Sequence, residues 1–137
     1  MITCKTIVDE PDNLCLISEI TVVEVAAALS QLRRAKRFGR NRMLNTFAKF
    51  QEDIHTGLFM SRALDAEVME RASEIALDHP IRGYDAVQVA TAITAEYLSN
   101  FEVVFVSGDK QALRAAQLEA LETENPFTHL DKPEAPQ

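Results

Sequence analysis

The sequence predicts an α/β fold built around a parallel β-sheet. Short apolar runs alternate with longer segments of helical composition, and the runs are continuous rather than alternating with polar residues. Such strands are typical of a parallel sheet covered on both faces by helices. We therefore expect a three-layer α/β/α sandwich. A chain of 137 residues buries one core more readily than two, so we expect a single domain over residues 1–130 and a flexible, Pro-rich tail over residues 131–137.

The first half of the chain contains two predicted strands and two predicted helices. Residues 14–17 (LCLI) form a short apolar run that indicates a buried strand. Residues 21–37 have a helical composition with a basic end, and Gly39 marks the stop. Residues 41–54 place apolar side chains at helical steps, and residues 57–61 (GLFMS) are a second strand candidate.

The second half continues the alternation. Residues 65–79 are amphipathic, with acids on one face. The opposite stripe consists of Val68, Ala72, Ile75 and Ala76. Residues 84–98 are apolar nearly all round, which predicts a buried helix. Residues 102–106 (EVVFV) are the clearest strand, and residues 110–121 form another predicted helix.

Composition argues against several classes of protein. The two cysteines and three scattered histidines do not have the spacing of a disulfide framework or a zinc site. No apolar run approaches the roughly 20 residues that span a bilayer, and the N-terminus carries acids where a signal peptide carries basic residues. We expect a cytoplasmic protein with free thiols and no membrane association.

Basic residues are concentrated in one window of a chain whose net charge is −7. This basic cluster consists of Arg33, Arg34, Lys36, Arg37, Arg40 and Arg42. A local patch of this kind can bind phosphates even on an acidic protein, because charge interactions are screened over a Debye length. A solvated helix end explains it equally well, since cations are favoured at helix C-termini. Both interpretations stay open.

Three carboxylates occur in or near the first turn of a predicted helix: Glu24 between two valines, Asp85 at the opening of the buried helix, and Asp109 after an apolar strand. In a parallel α/β sheet these positions meet at the carboxyl edge, where ligands bind. Clustered carboxylates repel unless a cation neutralises them, and Mg²⁺ and Mn²⁺ prefer oxygen ligands. Such an ion can activate water for attack at phosphorus.

Helix capping is the alternative explanation for each acid. Thr21 and Glu24 have the spacing of a capping box. Asp85 and Asp109 each fit an N-cap position. The intervals between the three acids match no local motif, so spacing leaves the two explanations open.

Four segments, in this order, resemble the PIN domain, and most closely the VapC-like group of bacterial toxin–antitoxin ribonucleases. The segments are ISEITVVEVAAALSQLRR, IRGYDAVQVATA, VFVSGDKQALRAA and LETENPFTHL. The resemblance covers residues 14–130. It implies a Rossmann-like sandwich, hydrolysis of RNA phosphodiesters by metal-activated water, an antitoxin whose C-terminal segment covers the site, and a homodimer.

The resemblance also assigns roles to individual residues. Glu24 matches the glutamate of the family's E-V/A-x-x-A helix, Asp85 the aspartate of its R-x-Y-D-A helix, and Asp109 the aspartate after its fourth strand. These three would bind Mg²⁺ or Mn²⁺ and form the catalytic site, and Ser107 matches a hydroxyl that supports it. The basic cluster would contact RNA phosphates or acids of the antitoxin.

One departure from the family concerns its first strand, which ends in an aspartate and is followed by a helix. We expect both to be missing here. Only four residues separate Asp9 from Leu14, whereas a parallel crossover needs about ten to twelve. Residues 2–10 look like the remnant of that helix. With one acidic ligand fewer, metal affinity should fall.

The sequence therefore predicts a ribonuclease of the PIN type with weakened or absent activity. The alternative is a non-catalytic PIN-like module that binds an antitoxin or RNA. A phosphatase of the haloacid-dehalogenase type is disfavoured, because the Asp-x-Asp pair of that class does not occur in the chain.

Overall fold

The computed structural model describes residues 11–130, which contain four strands and six helices. The strands are β1 (Cys15–Ser18), β2 (Phe59–Arg62), β3 (Val104–Val106) and β4 (Glu122–Glu124). The helices are α1 (Ile20–Arg34), α2 (Arg40–His55), α3 (Ala66–Asp78), α4 (Gly83–Leu98), α5 (Lys110–Leu118) and α6 (Pro126–Leu130). The elements predicted between residues 14 and 121 are confirmed, with shifted ends. The expected helix remnant at residues 2–10 and the expected flexible tail at residues 131–137 lie outside the described residues.

The mixed α/β class and the parallel pairing of strands are confirmed. Among the described residues, however, the strands form two separate two-stranded sheets rather than one wide sheet. In the first, β1 pairs with β2 from Cys15↔Phe59 to Ser18↔Arg62. In the second, β3 pairs with β4 from Val104↔Glu122 to Val106↔Glu124. Within residues 11–130 no helix has both the length and the apolar character needed to span a membrane.

The chain divides into two compact units, one formed by Leu14–Leu64 and the other, within the described part, by residues 11–13 and 65–130. In the first unit α1 packs on α2 and on β1, and α2 packs on β2. Of the residues in this unit only Ser18 and Leu29 are buried, and α2 contributes none. The Leu14–Leu64 unit therefore has a small core, which includes a tilted ring contact between Phe50 and Phe59 with 5.8 Å between centroids.

The second unit has its core around α4, which contacts α3, α5 and β3. Eight of the ten residues of α4 between Asp85 and Thr94 are buried, as the apolar pattern predicts. The last turn is exposed and includes Tyr97 and Leu98. The first turn of α4 is thereby held by the best-packed part of the described chain, which fixes the position of Asp85.

Two predictions about burial in this unit are wrong. The first concerns Ala76, which is exposed, whereas Val68, Ala72 and Ile75 are buried as expected. Each residue turns an α-helix by about 100°, so Ala76, eight residues after Val68, is rotated about 80° away from Val68 around the helix axis. This rotation places Ala76 outside the packed stripe.

The second error concerns the strands, which the continuous apolar runs predict to be buried on both faces. In β3 only Phe105 is buried, while Val104 and Val106 are 49% and 40% exposed. Successive side chains of a strand point to opposite faces, so in this unit only the Phe105 face is covered.

A charged network joins α3 to the C-terminal end of α5. The guanidinium of Arg71 donates to Glu119 Oε2 (2.6 Å) and to Glu74 Oε2 (2.7 Å). His79 Nε2 lies 2.9 Å from Glu119 Oε1. An ionised carboxylate can only accept, so the Nε2 of His79 is the donor. Glu119, the C-cap of α5, thus contacts Arg71 in the middle of α3 and His79 at its C-cap.

Replacing Glu119 by Gln should destabilise the protein by about 1 kcal/mol, because the charge-assisted bonds from Arg71 and His79 are weakened or lost in a partly buried position. Urea unfolding at neutral pH measures this as a lower midpoint. The control is Glu102→Gln, which removes a carboxylate from an exposed position. Equal midpoints for the two variants would contradict the role given to Glu119.

Candidate metal centre

Asp85 is the third residue of α4 and is buried, with 8% of the residue exposed. The N-cap of the helix is Arg82, which has extended backbone angles (φ −72°, ψ 151°) and makes no side-chain cap bond. The prediction that Asp85 is an N-cap is therefore wrong, because the helix begins before Asp85. A carboxylate in the first turn still interacts favourably with the helix dipole.

Asp109 is the N-cap of α5, as predicted. Its Oδ1 accepts a hydrogen bond from the backbone N–H of Ala112 (2.9 Å). Ser107 Oγ accepts from the backbone N–H of Asp109 (3.1 Å), and the N–H of Ser107 donates to the carbonyl of Glu124 (3.1 Å). Ser107 thus fixes the turn that carries Asp109 from the end of β3. Capping engages Oδ1 of Asp109, which leaves Oδ2 for another partner.

Arg82 brings the two aspartates together. Its Nε donates to Asp85 Oδ2 (3.2 Å), and its Nη2 lies 3.6 Å from Asp109 Oδ2. The two carboxylates, 24 residues apart along the chain, therefore flank one cation at the N-terminal ends of α4 and α5. We refer to Asp85 and Asp109 as the carboxylate pair.

The members of this arrangement differ in exposure. The side chain of Asp85 is 12% exposed and that of Asp109 is 36% exposed, whereas that of Arg82 is 63% exposed. The Arg82 guanidinium lies 5.4 Å from the ring centroid of Tyr84. Its pKa is raised, first by the charge interaction with Tyr84 and then by Asp85. Two carboxylates against one guanidinium leave the group with one negative charge.

Glu24 lies in the other unit, on α1, and is half-buried. The structure does not place Thr21 at the N-cap position that the capping-box alternative requires. The N-cap of α1 is Glu19, and Thr21 already lies inside the helix. The structure thus brings Asp85 and Asp109 together within one unit. Among residues 11–130 it places no group of three or more His, Cys, Asp or Glu side chains so that they could hold a metal ion.

The carboxylate pair suits a hard divalent ion. Mg²⁺ commonly binds through one or two carboxylates and keeps several waters. The pair offers oxygen atoms only, a net negative charge and one oxygen on each residue already facing a cation. Of the two residues, Asp85 is held by its burial in α4 and Asp109 by its capping bond. The donor chemistry therefore fits Mg²⁺ or Mn²⁺.

All six residues of the basic cluster are exposed. Arg33 and Arg34 lie in the last turn of α1, where the helix dipole favours cations. Arg40 and Arg42 lie in the first turn of α2, where the dipole disfavours them. Within the described part of the chain none of the six forms an ion pair, although Arg42 lies over the ring of Phe38 at 5.3 Å. The dipole thus accounts for only part of the cluster.

The carboxylate pair lies outside two shallow grooves of the protein. One, of about 480 Å³, is lined by residues of α2 and by Phe59 of β2. The other, of about 280 Å³, lies on the side of α3 and α4 and is lined by Glu67, Glu70, Glu74 and Tyr97 among others. Asp85 and Asp109 line neither groove.

Arg82 is the residue that sequence reasoning missed. The available signal is its position three residues before Asp85, a spacing at which opposite charges on a helix face each other. Its contact with Asp109 depends on how α4 and α5 pack and has no local signature.

Comparisons of the chain with protein-family models, with curated proteins and with solved structures give no match. The resemblance to the PIN domain therefore remains a prediction that rests on the four segments of the sequence.

Two substitutions at Asp109 should separate the stabilising effect of its capping hydrogen bond from that of its charge. Asp109→Ala removes the capping acceptor and should cost about 1 kcal/mol of stability, whereas Asp109→Asn keeps a good cap and should stay within about 0.5 kcal/mol of the parent. Chemical unfolding of the two variants side by side measures the difference. Equal destabilisation by both would mean that the interaction with Arg82, rather than the cap, makes Asp109 structurally important.

Proposed function

We propose that the protein is a metal-dependent endoribonuclease of the PIN type, similar to VapC toxins, with low intrinsic activity. The observation that supports this best is the convergence of the Asp85 and Asp109 carboxylates on one cation at the N-terminal ends of two helices. Caps alone do not explain this convergence, because only Asp109 caps its helix.

In this proposal Asp85 and Asp109 hold Mg²⁺ or Mn²⁺. When bound, such an ion supplies a water of lowered pKa and stabilises charge at the phosphate. Asp85 contributes a carboxylate held rigidly by the surrounding core. Asp109 contributes Oδ2 while its Oδ1 keeps α5 capped, and Ser107 keeps the turn in place. The carboxylate pair by itself supplies little ligand charge, so its own metal affinity is expected to be low, and a third carboxylate would raise it.

The finer architecture is also part of the proposal. In a three-layer PIN-like sandwich, Glu24 would join the carboxylate pair as a third ligand. As in the resembling family, the protein would be cytoplasmic, form a homodimer and be inhibited by a cognate antitoxin.

The basic cluster is proposed to bind RNA phosphates. Arg40 and Arg42 support this, because they are exposed cations at the helix end where the dipole disfavours them. A bound phosphate would offset that unfavourable interaction.

A non-catalytic module that binds RNA or an antitoxin is the second candidate. It is favoured by the absence, among residues 11–130, of a group of three acidic or other ligating side chains. Both candidates would use the basic cluster for binding, but the non-catalytic module would not cleave RNA.

The first test is cleavage of single-stranded RNA in the presence of Mn²⁺. We expect slow cleavage by the parent chain that stops with EDTA. Asp85→Asn should reduce the rate at least about a hundredfold, because a charge that holds the metal is removed. Glu102→Gln, which removes an exposed carboxylate elsewhere, should leave the rate unchanged.

Two results would overturn the catalytic proposal. One is cleavage that persists in Asp85→Asn, which indicates a contaminating nuclease. The other is tight RNA binding by the parent chain without any turnover at high Mn²⁺, which selects the non-catalytic module.

The second test concerns the basic cluster. The Arg40→Gln, Arg42→Gln double variant should weaken RNA binding and lower the salt slope of log Kd by about 0.7 for each phosphate that the protein no longer neutralises. Fluorescence anisotropy over a salt series measures both quantities. The matched control is Lys49→Gln, Arg114→Gln, which removes the same charge from exposed positions outside the cluster. Equal slopes for the two double variants would exclude a direct role of Arg40 and Arg42.

A further inference from the structure

We propose that Arg82 is a built-in counter-ion that competes with the divalent metal for the carboxylate pair. This inference rests on the proposed function, since it concerns the same two carboxylates. Arg82 contacts Oδ2 of Asp85 and lies near Oδ2 of Asp109, whose other oxygen, Oδ1, is engaged in capping α5. A metal ion bound to the two Oδ2 atoms would occupy the place of the guanidinium.

The exposure of the three side chains supports displacement of Arg82 rather than of the acids. The Arg82 side chain is 63% exposed, while the Asp85 side chain is 12% exposed. Exposed ion pairs contribute little net stability. Arg82 can therefore turn into solvent at small cost, while its backbone stays in place as the N-cap of α4.

Neutralisation by Arg82 also explains how the carboxylate pair is tolerated without metal. Two carboxylates that flank one position repel each other, and a guanidinium between them relieves that repulsion. A metal ion must break the attraction between Arg82 and the two aspartates in order to bind there. The free energy lost in this step lowers the metal affinity. A purely structural ion pair that ties α4 to α5 would stabilise the fold without this effect.

The test is binding of Mn²⁺ to the full chain, followed by the electron paramagnetic resonance signal of free Mn²⁺. Arg82→Gln should bind Mn²⁺ about two- to fivefold more tightly than the parent, because the competing cation is gone. Arg82→Lys keeps the positive charge but loses the planar guanidinium that reaches both aspartates. The Mn²⁺ affinity of this variant should therefore lie between those of the parent and of Arg82→Gln. Arg114→Gln is the control, since it lowers the net charge equally at an exposed position of α5.

Thermal unfolding provides a second readout that does not depend on activity. In EDTA, Arg82→Gln should unfold at a lower temperature than the parent, because the carboxylate pair is no longer neutralised. Mn²⁺ should then raise its Tm by more than it raises that of the parent, as tighter binding to the folded state requires.

The outcomes separate this inference from the proposed function. If the parent binds Mn²⁺ through Asp85 but neither Arg82 variant binds more tightly, the competition is overturned and the metal site stands. If the parent, Arg82→Gln and Arg82→Lys all fail to bind Mn²⁺ while folded, both proposals are overturned together.

Discussion

The electrostatic problem of two carboxylates at neighbouring helix ends is the constraint on which this structure depends. Asp85 is buried in the first turn of α4, and Asp109 is fixed as the cap of α5. Neither can turn away without loss of packing or of a capping bond. A cation beside both carboxylates relieves their repulsion, and in this structure that cation is the guanidinium of Arg82.

This constraint connects the fold to the proposed chemistry. The core around α4 exists because its sequence is apolar nearly all round, and the same core holds Asp85 in place. The β3–β4 pairing positions Ser107, whose hydroxyl supports the turn at Asp109. Carboxylate oxygens that the fold holds in place are the kind of ligand that the proposed Mg²⁺ or Mn²⁺ ion prefers.

Local patterns predict the elements well because each pattern reports on its own segment. Apolar runs identify β1, β2 and β3, and the Asp109 cap follows from its position before a helix. The division into two small sheets is not predictable, because strand pairing depends on residues distant in sequence. The predicted start of α4 at residue 84 lies one residue from the observed start at Gly83. The N-cap is not predictable, because the helix is entered through Arg82, which makes no side-chain cap bond, rather than through Asp85.

The candidate site is predictable only in part, for related reasons. Asp85 and Asp109 stand out as carboxylates in an apolar context, and the structure brings these two together. Arg82 escapes prediction because its contact with Asp109 arises from the packing of α4 against α5. Glu24 stands out by the same reasoning as the aspartates. It belongs to the Leu14–Leu64 unit, and its role as a ligand remains a proposal.

In a crystal structure of the protein grown with MnCl₂, the anomalous signal of manganese shows whether the carboxylate pair binds a divalent ion in place of Arg82. We predict a peak within coordinating distance of carboxylate oxygens from both Asp85 and Asp109, with the Arg82 side chain turned into solvent. A map without manganese at these oxygens, in which Arg82 still bridges the two aspartates at saturating Mn²⁺, would contradict the account.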